Sequence, residues 1–153
     1  MSPAPRYCFE DLTPGLRLSF GPKLVEREEM LRFSQQFDPQ GFHLDDAEAA
    51  KTPYGRIIAS GWHTCSMAMR LMADGLMIQS SGMGSPGIDQ VRWLKPVYAG
   101  GLLTVSVTVL DATPSTSKPD RGTCTLETIA TGADGEVKMM MKSRVMFGRR
   151  KPA

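Results

Sequence analysis

The sequence predicts an α+β fold in which an antiparallel β-sheet wraps around one long central helix. Residues 60–78 carry the strongest helical pattern of apolar side chains, and after them the pattern changes to the two-residue alternation of β-strands. The late strands follow one another without intervening helices, which argues against a parallel α/β sheet. With 153 residues, the chain is expected to form a single domain over residues 1–153.

The first part of the chain predicts short elements. Residues 1–15 are rich in proline and are expected to be extended, and residues 16–25 form a strand interrupted by Gly21-Pro22. Residues 26–36 are predicted to be a helix, and residues 44–51 a second, shorter helical turn.

The long helix is expected to be buried among other elements because its apolar face is wide. The helical spacing places two sets of residues on different faces. The apolar set is Cys65, Met69, Met72 and Leu76, and the more polar set is His63, Ser66, Arg70 and Asp74.

The second half predicts strands joined by short connections. The strands are expected over residues 88–94, 103–109, 123–131 and 136–147, with a polar connection over residues 111–122. Asp134-Gly135 predicts a two-residue hairpin turn between the last two strands.

Composition excludes several classes of protein. A net charge of +2 without a clustered basic face argues against a nucleic-acid-binding protein. No apolar segment is long enough to span a membrane, and the N-terminus lacks the apolar core of a secretory signal. Cys8, Cys65 and Cys124 are widely spaced and odd in number, which fits free thiols in a cytoplasmic protein.

The first candidate for chemistry is a loop in which Asp38 precedes His43 by five residues. A carboxylate and an imidazole can hold and activate a water molecule. Phe37 and Phe42 flank the pair and are expected to exclude bulk water, while Gln40 either contacts a ligand or braces the loop. The spacing alone also fits an ordinary turn, since Asp-Pro commonly begins one.

Two further acids follow this pair in the sequence. Asp45 and Asp46 either orient the His43 ring or, as the simpler interpretation, occupy a helix N-terminus.

Ser60-Gly61, at the start of the long helix, is the second candidate. The N–H groups of a first helical turn attract negative charge, and a glycine there lets a ligand approach the backbone. Ser60 could instead be a plain N-cap, and His63, one turn later, could be purely structural. The chain lacks a phosphate-binding glycine loop, a dinucleotide fingerprint and metal-ligand spacing, so no cofactor or metal is expected.

These segments resemble the MaoC-like, or R-specific enoyl-CoA hydratase, family of hot-dog-fold proteins. The resemblance rests on Asp38 to His43, on Ile58-Ala59-Ser60-Gly61 and on the segment from Trp93 to Gly100 with its Pro-Val-x-x-Gly element. It extends over roughly residues 8–148. The usual family signature is Asp-x-Asn-Pro-x-His followed by Ile-(Ala/Val)-His-Gly. Gln40, Gly41 and Ser60 depart from it.

The resemblance implies hydration of a trans-2-enoyl thioester, or the reverse dehydration, without a cofactor. It implies that Asp38 and His43 are catalytic and that the N–H of Gly61 binds the thioester oxygen. Ser60, Gln40 and Phe42 are then the expected oxyanion- and substrate-binding residues. The implied partners are an acyl-CoA or acyl-carrier thioester and a second copy of the chain in a homodimer, without nucleic acid or membrane.

Two alternatives remain open from the sequence. A hot-dog acyl-CoA thioesterase would need an acid on the central helix, where only Asp74 is available, near the far end. A non-catalytic acyl-thioester-binding subunit would be consistent with the replacements at Gly41 and Ser60.

Overall fold

The computed structural model describes residues 2–151. Met1, which begins the segment predicted to be extended, and Pro152 and Ala153, which end the predicted domain, lie outside this range. The chain forms a five-stranded antiparallel sheet with the strand order β1-β3-β4-β5-β2, and a central helix packs against it. The elements are β1 (Arg17–Leu24), α1 (Arg27–Phe37), α2 (Asp46–Ala50), α3 (Gly61–Met72), β2 (Gly87–Trp93), β3 (Leu102–Pro114), β4 (Arg121–Gly132) and β5 (Val137–Gly148). The predicted α+β hot-dog architecture is confirmed.

The two-residue alternation of β3 corresponds to a buried and an exposed face. Its buried residues, Leu103, Val105, Val107 and Val109, are at most 3% exposed. Alternate residues of β4 and β5 complete this face, and Ala68 and Met72 of α3 pack on it. The helix therefore lies across the sheet because both present apolar side chains on the facing sides.

The strand region differs from the prediction in three details. The strands β3 and β4 extend to Pro114 and from Arg121, so the predicted connection over residues 111–122 shrinks to six residues, 115–120. Asp134-Gly135 lies in a longer connection between β4 and β5, closed by the Gly132 N–H bonded to the Glu136 carbonyl, rather than in a two-residue turn. The predicted interruption at Gly21-Pro22 is present as a shift of register against β3 between Phe20 and Lys23, while the strand β1 itself continues to Leu24.

The long helix differs from its predicted form in two respects. The regular α-helix ends at Met72, and a π-helical turn, Ala73–Met77, continues it. Met69, predicted on the apolar face, is 48% exposed, whereas Met67 and Ala68 are buried. The sheet covers only part of the helix circumference, so some apolar residues of its wide face remain at the surface.

Within residues 2–151, the structure has no helix that combines the length and the apolar character required to cross a membrane.

Candidate active site

Asp38 lies where the helix α1 ends. Its N–H donates to the carbonyl of Ser34, and its backbone leaves the helical region. Pro39 follows directly, and a proline disfavours helical geometry in the residue before it. A single 3-10 turn, Gly41–His43, then brings the chain back, so the turn places Asp38 and His43 side by side.

The ring of His43 is held in a buried position, with 5% of the residue exposed. Its Nδ1 lies 2.8 Å from the carbonyl oxygen of Ile58. Because a carbonyl only accepts hydrogen bonds, Nδ1 carries the proton and donates it, which leaves Nε2 for chemistry. Nε2 lies 3.3 Å from Oδ2 of Asp38. The unprotonated nitrogen and the carboxylate oxygen are both acceptors, so they require a shared proton or a donor, such as water, beside both.

The Asp38 carboxylate is fixed at both oxygens. The Ser60 hydroxyl donates to Oδ2 at 2.7 Å, and the Gln40 amide donates to Oδ1 at 2.7 Å. The hydrogen bond from Ser60 is the main reason that the pKa of Asp38 is lowered; burial opposes it, and Gln40 and His43 lower it further. The carboxylate is therefore ionised at neutral pH and able to accept hydrogen bonds.

The start of α3 presents free hydrogen-bond donors. Ser60 is the N-cap residue, but its hydroxyl bonds Asp38 and makes no cap hydrogen bond. Among residues 2–151, no acceptor is found for the N–H groups of Gly61 and Trp62. The simple N-cap interpretation of Ser60 is therefore wrong, and the first turn keeps donors that favour an anion.

Trp93 of β2 covers Gly61. Its indole N–H donates to the Gly61 carbonyl at 2.9 Å. A Cβ atom at position 61 would lie 2.5 Å from the indole ring, which is closer than packing permits. Glycine is therefore required at position 61 by the close approach of Trp93.

A cavity of about 380 Å³ joins these features. Asp38, His43 and Gly61 line it together with Gln40 and Phe42, and with apolar residues of the 93–97 segment. Ser60 is fully buried behind the cavity and reaches it through the Asp38 carboxylate. An acid, an imidazole and free amide donors thus border one volume, which is the set of groups needed for proton transfer beside a carbonyl.

The structure also decides the other sequence expectations for this region. Phe37 does not flank the acid–imidazole pair: it is 67% exposed and lines a different cavity. Asp45 caps α2 by accepting from the Glu48 N–H, and Asp46 lies in the first turn of α2 and pairs with Arg27, so the interpretation of both acids as helix N-terminal residues is confirmed. Neither acid orients His43. The ring is instead oriented by the Ile58 carbonyl.

The sequence did not predict two groups of the site, the Ile58 carbonyl that holds His43 and the Trp93 side chain that covers Gly61. A backbone carbonyl is present in every residue, so no sequence pattern marks this one. Trp93 belongs to the segment that resembles the family, but the sequence did not indicate that it covers Gly61.

A match over residues 13–131, more than half of the chain, shows that this protein belongs to the MaoC-like domain family. The crystal structure of a MaoC-like dehydratase from Rhodospirillum rubrum is 36% identical, with a TM-score of 0.87, covering 94% of this chain and 98% of that one. An (R)-hydratase from A. caviae involved in PHA biosynthesis has the same fold, with a TM-score of 0.72 and 23% identity over 89% of this chain and 97% of its own. The uncharacterised protein YdeM of Bacillus subtilis is 31% identical over 90 residues, spanning 59% of this chain but only 64% of its own length.

Replacing Ser60 by Ala tests the control of Asp38 ionisation. The variant loses the main cause of the lowered pKa, so the pKa of Asp38 rises and the carboxylate is ionised only at higher pH. In the hydration reaction that the family resemblance implies, we expect the acidic limb of the pH–rate profile to move to higher pH and kcat to fall about tenfold. Ser19→Ala on the exposed face of β1 is the control. An unmoved acidic limb would contradict the assigned role of Ser60.

Replacing Gly61 by Ala tests the packing at the helix start. The new Cβ would displace Trp93 and shift the first turn of α3, and a shift of about 1 Å can reduce a rate on the order of 100-fold. Gly87→Ala, at the other end of β2, meets nothing within 4 Å and should keep the wild-type rate. Equal rates for both variants would show that the contact with Trp93 does not matter.

Proposed function

We propose that this protein adds water to a trans-2-enoyl thioester to give a 3-hydroxyacyl thioester, or catalyses the reverse dehydration. The proposal rests on one observation: Asp38 Oδ2 and His43 Nε2 lie 3.3 Å apart beside a cavity that also reaches the free donors at the start of α3. Family membership supports it, because relatives of the same fold include a MaoC-like dehydratase and an (R)-hydratase.

The reaction follows from the hydrogen-bonding capacity of these groups. A water molecule donates to both acceptors of the pair, Asp38 Oδ2 and His43 Nε2, which directs its oxygen towards the substrate. The water oxygen bonds to C3 while the pair takes one of its protons. The C2=C3 electrons move towards the thioester carbonyl, and the resulting enolate collects the proton at C2. The product contains every atom of the water.

The developing negative charge on the thioester oxygen needs a donor. The N–H groups of Gly61 and Trp62 are available for it, and the helix dipole adds to their effect. Removing a donor of this kind from an enzyme typically costs about 3–4 kcal/mol of transition-state stabilisation. The two halves of the site therefore have separate roles: the pair moves the proton and the helix start binds the oxygen.

The thioesterase alternative receives less support. Its required acid, Asp74, is engaged by Arg70 at 2.9 Å and lies beyond the end of α3. The helix α3 itself contains no acid. Within the helix, the residues nearest the cavity are donors and apolar groups, which suit oxygen binding rather than water activation.

The protein acts as a homodimer built on β2. This strand is one edge of the sheet, and it exposes Ile88 and Trp93 at 52% and 45%, next to Trp62 of α3 at 59%. An exposed apolar edge strand invites pairing with another strand, and a second copy would cover the mouth of the cavity.

Sedimentation velocity tests the dimer. We expect the wild-type protein to sediment at twice the chain mass and Ile88→Glu to sediment as a monomer, since a charge would be buried in the interface. Leu110→Glu, an exposed leucine on β3, should remain dimeric. A monomeric wild-type protein, or a dimeric Ile88→Glu variant, would refute the proposed interface.

Loss of enoyl absorbance on hydration of crotonyl-CoA tests the activity. We expect Asp38→Asn and His43→Gln each to reduce kcat by about 10² to 10⁴, because an amide can accept a hydrogen bond from the water but cannot take up its proton. Asp46→Asn serves as the matched control, since this acid pairs with Arg27 away from the cavity.

The result also separates the alternatives. Release of free thiol from a saturated acyl-CoA would favour the thioesterase. Binding of crotonyl-CoA without any absorbance change would favour a non-catalytic subunit. Full activity in both variants would overturn the assignment of the site.

A further inference from the structure

A further cavity, which we call the Tyr98 cavity, adjoins the active-site cavity along the segment that follows β2. It has a volume of about 470 Å³ and is lined by Arg56, Tyr98 and the chain from Ala99 to Leu103, among others. Val97 lines both this cavity and the active-site cavity. The two volumes therefore meet at the same stretch of chain.

One face of a short antiparallel ladder connects the two cavities. Ile58 and Tyr98 are paired in an isolated bridge, and the Ala59 N–H donates to the Val97 carbonyl at 2.9 Å. Side chains of directly opposite residues lie on the same face of such a ladder. Ile58 lines the active-site cavity, and Arg56 stacks on the ring of Tyr98. A molecule that leaves the active-site cavity along this face therefore reaches Arg56 without crossing the backbone.

The guanidinium of Arg56 is held in place while its N–H groups stay free. It lies 4.0 Å from the centroid of the Tyr98 ring, and the Tyr98 hydroxyl fixes that ring by donating to the Tyr54 carbonyl at 3.0 Å. Stacking occupies the flat face of a guanidinium and leaves the donors in its plane available. Within residues 2–151, Arg56 forms no ion pair. An oriented guanidinium of this kind suits a phosphate, which it can bind through two parallel hydrogen bonds.

The other charged groups of the Tyr98 cavity are engaged with one another. Lys138 binds Glu136 at 2.9 Å, and Asp134 accepts from the Glu136 N–H at 2.8 Å. The lining contains two cations, Arg56 and Lys138, and one acid, Asp134, so its charge is positive. Lys95, exposed at the active-site cavity, also lacks an ion pair in the part of the chain that the structure describes. The route between the two cavities therefore attracts an anion.

We infer that Arg56 binds a phosphate group of the substrate's carrier arm in the Tyr98 cavity. The inference rests on the proposed hydration of an enoyl thioester, whose reacting end occupies the active-site cavity and whose arm must continue outside it. A neutral arm would leave the donors of Arg56 unused, whereas a phosphate gains charge-assisted hydrogen bonds from them. Phosphate is common to CoA and to the phosphopantetheine arm of a carrier protein, and the experiment separates these sources.

The test compares three crotonyl thioesters that share the acyl group and the pantetheine arm. The first is the pantetheine thioester, which has no phosphate; the second is the phosphopantetheine thioester; the third is crotonyl-CoA. We expect kcat/KM to be higher with phosphate than without it. Arg56→Gln should lower the ratio of the two values about tenfold, the usual loss for one charged hydrogen bond.

The position of the effect in this series identifies the phosphate. A preference that already appears with the phosphopantetheine thioester assigns Arg56 to the phosphate of the arm. A preference that appears only with crotonyl-CoA assigns it to the phosphates of the nucleotide.

Two further variants control for the loss of charge. Arg17→Gln removes another exposed arginine without an ion pair among residues 2–151, on β1 and outside both cavities, and should leave the ratio unchanged. Arg56→Lys keeps the charge but loses the planar, stacked group, so it should recover only part of the ratio. Arg56 is exposed, so its variants should fold normally.

Three results would overturn the inference. They are equal kcat/KM values for the three thioesters in the wild-type protein, a phosphate preference that Arg56→Gln retains, and an equal loss of rate with all three thioesters in Arg56→Gln. In each case hydration of crotonyl-pantetheine by the wild-type protein would still support the proposed function. Failure to hydrate any of the thioesters would refute the proposed function together with the inference.

Discussion

The site depends on one hydrogen bond between the end of α1 and the start of α3. The Ser60 hydroxyl, fully buried, donates to Asp38 Oδ2 across 22 positions of sequence. A hydrogen bond to an ionised acceptor is stronger than one between neutral groups, and without Asp38 the buried Ser60 hydroxyl would be unsatisfied. This bond therefore draws the loop between the two helices against the helix start. It also sets the charge state of the carboxylate that we propose as catalytic.

The imidazole depends on a second constraint of the same kind. The His43 ring is buried, so its Nδ1 must find an acceptor, and the carbonyl of Ile58 is the one within reach. That bond determines the tautomer and leaves Nε2 directed at Asp38. The residues 58–60 thus fix both members of the pair, one through a backbone carbonyl and the other through a hydroxyl. Such support from neighbouring groups is what holds a reactive geometry in place.

The sheet contributes by supplying a rigid surface on which the helix start is positioned. Buried apolar residues of β3, β4 and β5 hold α3, and Trp93 at the end of β2 packs directly on Gly61. The first turn of α3 consequently has little freedom, so its unpaired N–H groups keep a fixed direction. The same turn carries His63 on its other side, in an environment of Glu29 and Phe33. This helical turn therefore lies between two cavities.

The sequence by itself determined the order and type of the elements and the residues of the candidate pair. The spacing of apolar residues changes along the chain from the helical period to strict alternation. This pattern is local in sequence, and the structure has the helix α3 and the strand β3 where the two patterns occur. The resemblance to the MaoC-like family, which the match over residues 13–131 confirmed, came from Asp38, His43 and the Ser60-Gly61 step.

Only the tertiary structure decided what these residues contact. Ser60 was expected to cap the helix or contact the substrate, yet it bonds Asp38; Phe37 was expected beside the pair, yet it lies at the other cavity. The acceptor for His43 is a backbone carbonyl, which every residue possesses and no pattern distinguishes. Local periodicity records which face of an element is apolar. The partner of a buried polar group depends instead on which distant segments the fold brings together. Such contacts form only in the tertiary structure.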